Sequence, residues 1–285
     1  MASFAERIGQ RAPRTVTQID SLDTDTRTAL WNVLAHFRDS IDSVVLNPYE
    51  HLVMKALWAR YFKGALDEMP GVSRVWEIVK KTIQQSEWYE ALDLIETLVQ
   101  YFDKIDHTLM RKCLAHVPKQ MNSVFEQELV GYRFLRKEIT PITAARDIEA
   151  IEDTLEELTP YSGAQQHLEQ AIKSLSDRAN PNYAQSISEA VKAVEGVVQK
   201  LTESKAPLGT GLNRLEKAGI EIHPGLKEAW RTMYGWASND KGIRHAASEA
   251  SEVDQSLAKY MLIACSAFVS YLLEESSKNA PPPKN

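Results

Sequence analysis

A mainly α protein is expected from three features of the chain. Apolar residues recur at three- and four-residue spacing through most of its length. β-prone residues gather between 129 and 143. Breakers such as Met69-Pro70-Gly71, Thr159-Pro160-Tyr161-Ser162-Gly163 and Asn180-Pro181-Asn182 cut the helical pattern into pieces. The 285 residues suit two domains or one large one, and 44% apolar with 25% charged residues fits a protein able to bury a core. The expected division is a helical domain over 1–143 with a hairpin near 129–143, an acidic connecting helix and linker over 144–162, a helical domain over 163–278, and a disordered tail over 279–285.

Residues 1–20 read as a basic loop carrying Arg7, Arg11, Pro13 and Arg14. Asp23 or Thr24 is placed to cap the first helix, with Leu30, Val33, Leu34 and Phe37 as its apolar face. A second helix is expected over roughly 48–68, through Leu52, Ala56, Ala59 and Tyr61-Phe62. Trp76, Ile78 and Val79 open a third, Trp88 to Phe102 forms a fourth, and 107–130 reads as helix again. Trp31, Trp58, Trp76 and Trp88, four of the six tryptophans, fall in this half and read as core. Val130, Tyr132 and Phe134, then Ile139 to Thr143, suggest a short hairpin with Pro141 at an edge.

From Arg146 to Leu158 the apolar residues Ile148, Ile151, Leu155 and Leu158 form one stripe, and six carboxylates cover the rest. Helices follow over 164–179 and 183–202. In the latter, Ile187, Val191, Val194, Val198 and Leu201 lie within about 80° of one another at 100° per residue. Glu195 borders that stripe and Glu189 points nearly opposite. Gly209 and Gly211 punctuate the approach to a short helix over 212–218. This Gly-x-Gly follows no strand and lacks the Lys-Ser/Thr of a phosphate loop. Pro224 starts a helix reaching about Trp236, and a last one runs from about Asp254 to Glu275.

The net charge of −6 excludes a general basic coat for nucleic acid but leaves room for a small local RNA site. Cys113 and Cys265 sit in apolar surroundings and read as free thiols of a cytoplasmic protein. The start lacks a signal-peptide core, and the apolar run Tyr260 to Leu273 is too short to span a bilayer, so no membrane role is expected. No His-Glu-x-x-His or clustered Cys/His set points to a metal, and no cofactor is implied. His36 and His51 read as partly buried structural histidines, His107, His116 and His167 as surface or cap residues, and His223-Pro224 as a helix start.

The richest polar chemistry lies in Ser238-Asn239-Asp240-Lys241-Gly242-Ile243-Arg244-His245-Ala246. An arginine can hold a phosphate through two hydrogen bonds, and a histidine can move protons near neutral pH. The alternative is a polar helix cap followed by a solvated loop.

Taken in order, Asn182-Tyr183, Ser186-Ile187, Glu189-Ala190-Val191, Ala193-Val194-Glu195, His223-Pro224, Leu226 to Ala229, Tyr234-Gly235-Trp236, Gly242 to Ala246 and Ala264 to Phe268 resemble the C-terminal HEPN-type domain of AbiJ-like abortive-infection proteins. That likeness covers roughly 165–275. The first half resembles the fourth type of AbiJ N-terminal domain through Phe4 to Arg7, Leu30 to Leu34, and Gly131-Tyr132-Arg133 through Pro141-Ile142-Thr143. The resemblance implies a C-terminal HEPN-type helical bundle that forms a homodimer. It also implies a metal-independent endoribonuclease of a phage-defence or toxin system acting on RNA, tRNA included, with an antitoxin or phage trigger as a further partner. A non-catalytic module binding RNA or protein is the alternative.

Catalytic members of the resembled family carry Arg, four to six residues, then His. Here Ser238, Asn239 and Asp240 occupy the upstream positions, and Arg244 adjoins His245 instead. Ala184-Gln185 stands where similar sequences have Arg-Asn. An Arg-His pair at the family spacing does occur at Arg111 and His116, in the other half of the chain; chance explains one such match among seven histidines. The resulting expectation makes His245 the acid/base and Arg244 the phosphate clamp. Asn239 and Asp240 orient the pair or contact substrate. Glu195 orients His245 or pairs with Arg244. Glu189 is the second candidate for that carboxylate role, brought in by a dimer, and Lys241 and Glu189 join Arg244 in holding RNA.

Overall fold

A computed structural model describes residues 16–44, 46–142, 144–177, 182–238 and 253–278. The fold is mainly α, with one two-stranded antiparallel sheet among the described residues, and the chain divides into two compact units, 1–143 and 144–285. The basic positions Arg7, Arg11 and Arg14, the Asn180-Pro181 break and the tail from 279 lie outside the described residues.

In the first unit, α1 (Thr24–Ser43) starts where Asp23 accepts a hydrogen bond from the Thr26 amide at 2.8 Å. Its expected face, Leu30, Val33, Leu34 and Phe37, is buried. α2 (Asn47–Arg60) is shorter than its pattern suggests. The chain leaves it at Arg60 and resumes only as a 3-10 turn, Leu66–Glu68, because Lys63 adopts a left-handed φ of 57° and Trp58 Nε1 donates to the Ala65 carbonyl at 2.7 Å. Leu52, expected inside, is 55% exposed; Val53, Met54 and Leu57 are buried instead.

α3 (Val72–Gln85) and α4 (Trp88–Asp103) follow as expected. The 107–130 run splits into α5 (Thr108–Leu114) and α6 (Val117–Gln127), with Pro118 in the first turn of α6, where its missing N–H costs no helical bond. β1 (Arg133–Leu135) pairs with β2 (Glu138–Thr140), Phe134 opposite Ile139, inside the expected hairpin. Asn122 fixes it to α6 by donating to the Phe134 carbonyl and accepting from the Phe134 amide.

Trp76, Phe102, Phe125 and Phe134 fill this core. Trp31, Trp58 and Trp88 are only partly buried, a departure from the four-tryptophan core. His36 and His51 are exposed, since the inward positions of α1 and α2 go to their apolar neighbours. Trp76 Nε1 donates to the buried Glu50 carboxylate at 2.6 Å, and Arg38 lies over the Trp76 ring at 5.7 Å.

In the second unit, α7 (Ala145–Glu157) docks its stripe of Ile148, Ile151 and Leu155, and packs against α12 (Gln255–Lys278). Thr154 Oγ1 lies 2.9 Å from Ser270 Oγ within that contact. α8 (Ser162–Ser176) and α12 both pack on α9 (Tyr183–Leu201). The short helix expected over 212–218 is two pieces, α10 (Leu208–Gly211) and a 3-10 turn, Glu216–Ala218, closed by Gly219 at φ 82°. α11 (Pro224–Ser238) stacks Trp230 on Phe268 of α12, ring centroids 4.0 Å apart. α12 extends beyond its apolar run to 24 residues, long and apolar enough by those measures to cross a membrane, yet it packs on α7, α8 and α9. Cys265 on it is buried, which pushes its thiol pKa up, whereas Cys113 is half-buried.

Candidate functional site

α9 is the element on which the described candidate residues sit. Asn182 caps it by accepting from the Gln185 amide at 2.9 Å. Ser186 Oγ donates to the Ala171 carbonyl of α8 at 2.8 Å. Ala190, Ala193 and Val197 are buried alongside Ile187, Val191, Val194 and Val198, so the helix is covered on two sides rather than along one stripe. Leu201 is only half-buried at its end.

Double coverage changes the setting of Glu189. It faces away from the apolar stripe, yet it is only 6% exposed. Three side chains hold it. His167 Nδ1 on α8 lies 2.6 Å from Oε2, Gln185 Nε2 donates to Oε1 at 2.6 Å, and Lys192 Nζ donates to Oε1 at 2.8 Å. Burial alone would raise the carboxyl pKa, but the hydrogen bonds and charges of Lys192 and His167 together hold it below the usual 4.5. An ionised carboxylate only accepts, so the proton of this contact sits on His167 Nδ1. His167, expected as an ordinary surface residue, is therefore tied to a buried charge.

Glu195 has a different task. Its Oε2 accepts from the Leu208 amide at 3.0 Å, and its Oε1 accepts from Gln199 Nε2 at 3.3 Å. It thus fastens the first residue of α10 to α9. The two glutamates are six positions apart, which puts them about 120° apart around the helix. They share α9 but not a face.

Asn239, Asp240, Lys241, Arg244 and His245 lie outside the described residues. The elements that flank them are described. α11 ends at Ser238, and Asp254 precedes α12, its carboxylate accepting from the Leu257 amide at 2.8 Å. The family-spaced pair in the first unit is not a site of this kind. Arg111 donates to Asp106 at 2.6 Å on an exposed surface, and His116 directly precedes α6. Among the described residues, no three of His, Cys, Asp and Glu converge as a metal-binding group.

Sequence reasoning missed His167, Gln185 and Lys192. Two of them left a signal, since Gln185 and Lys192 stand four before and three after Glu189, the spacings that meet on a helix. His167 left none, because its contact depends on how α8 and α9 pack.

These features define a mainly α protein whose first unit carries a hairpin and whose second surrounds α9. The chain belongs to the AbiJ N-terminal domain 4 family, which it matches over residues 2–157. It is an AbiJ-like protein and a member of an abortive-infection system, a form of antiviral defence. No match was found among curated proteins or among solved structures.

Proposed function

We propose that the chain is a metal-independent endoribonuclease of its abortive-infection system, and that residues 163–278 form a HEPN-type domain. One observation carries the reading. In an AbiJ-like chain, the adjacent Arg244-His245 pair lies in sequence after α11 and before α12, two long helices. Cleavage proceeds by attack of a ribose 2′-hydroxyl on the neighbouring phosphorus. The 2′-oxygen–phosphorus bond forms as the phosphorus–5′-oxygen bond breaks. His245 handles a proton and Arg244 offsets charge on the phosphate. The ends left are a 2′,3′-cyclic phosphate and a 5′-hydroxyl. In this reading the protein acts in the cytoplasm as a homodimer through the second unit, on RNA such as tRNA, under an antitoxin or phage trigger.

A second reading, a non-catalytic HEPN-type module binding RNA or a protein partner, is favoured by a different observation. Both carboxylates assigned to the Arg-His pair hold other partners: Glu195 holds Leu208 and Gln199, and Glu189 holds His167, Gln185 and Lys192.

The test is incubation of purified wild type and His245→Ala with total RNA and with tRNA in EDTA, followed by end-group analysis. Cutting by wild type alone, with cyclic phosphate ends and an unchanged oligomeric state in the variant, supports the enzyme. If His245→Ala dissociates the dimer and wild type leaves RNA intact, the binding module replaces it.

A further inference from the structure

We propose that His167, Glu189, Lys192 and Gln185 form a second functional site on α8 and α9, one that binds a phosphate of the RNA backbone and presents His167 Nε2 as a proton acceptor. The choice of RNA as ligand rests on the ribonuclease reading; the site itself rests on the geometry.

Glu189 is buried, and its two oxygens take three hydrogen bonds from two helices. Its partners are not buried with it, since the side chains of His167 and Lys192 are each 42% exposed. A carboxylate that served packing alone would be as well satisfied by backbone amides or by fully covered donors. Here it anchors the inner ends of two side chains whose outer parts reach solvent.

The anchoring has a chemical consequence. Nδ1 of His167 donates a hydrogen bond to Glu189 and keeps its proton, so the neutral ring has its lone pair on Nε2. The same hydrogen bond fixes the ring's tautomer and orientation, as carboxylates do for the histidines of metal sites. Lys192 grips the other oxygen of the same carboxylate, so an ammonium and an oriented imidazole stand one carboxylate apart. Lys192 has hydrogens to spare for an anion after donating one to Glu189. A phosphate with a neighbouring hydroxyl matches this pair: the ammonium meets the phosphate, and Nε2 accepts the 2′-hydroxyl proton as the 2′-oxygen–phosphorus bond forms and the phosphorus–5′-oxygen bond breaks, the departing 5′-oxygen taking a proton from solvent. Glu189 is the positioning residue, and it acts through His167 without touching the ligand.

Two measurements on the full-length chain test the site. The first follows the His167 ring Hε1 resonance, assigned by its loss in His167→Gln, during titration with inorganic phosphate. The resonance should move saturably, and Lys192→Ala should weaken the apparent affinity about tenfold. The second is cleavage of total RNA in EDTA. His167→Gln, which keeps a donor for Glu189, should slow it about 100-fold, as loss of a proton-transfer group does. Glu189→Gln should displace the pH–rate profile, an effect that loss of packing alone does not produce, while circular dichroism stays unchanged. Cutting at the wild-type rate by His167→Gln overturns the inference and leaves the ribonuclease reading standing. If wild type does not cut but phosphate moves the His167 resonance, the ribonuclease reading fails and the phosphate site is supported. A His167 resonance indifferent to phosphate overturns the inference whatever happens to RNA.

Discussion

Replacing Glu50 by alanine should cost the first unit about 3 kcal/mol. Glu50 on α2 is 4% exposed, and its Oε1 accepts from the wholly buried Trp76 Nε1 at 2.6 Å. Arg38 Nε stands 3.5 Å from the same oxygen, on a side chain that is 29% exposed. Removing the carboxylate leaves a buried indole N–H without an acceptor, which costs about 1–3 kcal/mol. The lost attraction to the partly solvated Arg38 adds about 1 kcal/mol. Glu50→Gln keeps an acceptor of the same shape and should cost only about 1 kcal/mol. The assay is urea unfolding followed by fluorescence, to which the first unit contributes four of the six tryptophans. With an m-value of about 2 kcal/mol/M, the alanine variant should unfold about 1.5 M earlier. A double-mutant cycle with Trp76→Phe isolates the contact, and its coupling should reach about 1–2 kcal/mol. A coupling under about 0.5 kcal/mol would refute the argument, because the loss would then come from packing and not from the orphaned donor.

Three further predictions follow from the second unit. Glu189 has a folded-state pKa below its unfolded value of about 4.5, so the stability it contributes is complete above about pH 4.5 and is lost as pH falls through the lower folded value. Glu189→Gln should therefore flatten the dependence of the urea midpoint on pH below about pH 4.5, and an unchanged slope there would count against the assignment. A Cβ on Gly211 would lie 2.6 Å from Val198 Cγ1, whereas one on Gly209 would meet only Tyr234 at 3.9 Å. Gly211→Ala should accordingly cost about 1–3 kcal/mol in chemical denaturation, with Gly209→Ala distinctly milder. Glu195→Ala removes the acceptor of the Leu208 amide and should cost about 1 kcal/mol, with faster hydrogen exchange at Leu208 as its local signature.

Local chemistry was legible in the sequence wherever it decided the outcome. Asp23 or Thr24 marked the start of α1, the break ending at Asn182 that of α9 and Pro224 that of α11, because capping and ring closure act within one turn. The hairpin was readable from Val130 to Thr140 because β-prone residues there interrupt a helical texture. The end of α2 was not, since Leu66 and Glu68 continue an acceptable helical pattern and only the tryptophan bond to Ala65 shows the chain turning away. Candidate residues divide along the same line. Glu195 was recognisable as a carboxylate at the margin of an apolar stripe, but its bond to Leu208 required the path of the chain after Leu201. Glu189 read as outward-facing from one helix alone. Its burial followed from α9 being covered on two sides, which no periodicity within α9 encodes.

The family match ends at residue 157, the last residue of α7, yet α7 belongs by packing to the unit that begins at Ala144. The inherited segment and the folding unit are therefore cut at different places. Exchange of everything after residue 157 for a foreign partner would strip Ile148, Ile151 and Leu155 of their cover and leave Thr154 without Ser270. A successful graft must bring a helix complementary to α7, or carry the junction back to the short connection between β2 and α7. The same condition applies to recombination in nature: a new C-terminal unit can be joined to this segment only if it supplies a socket for its final helix.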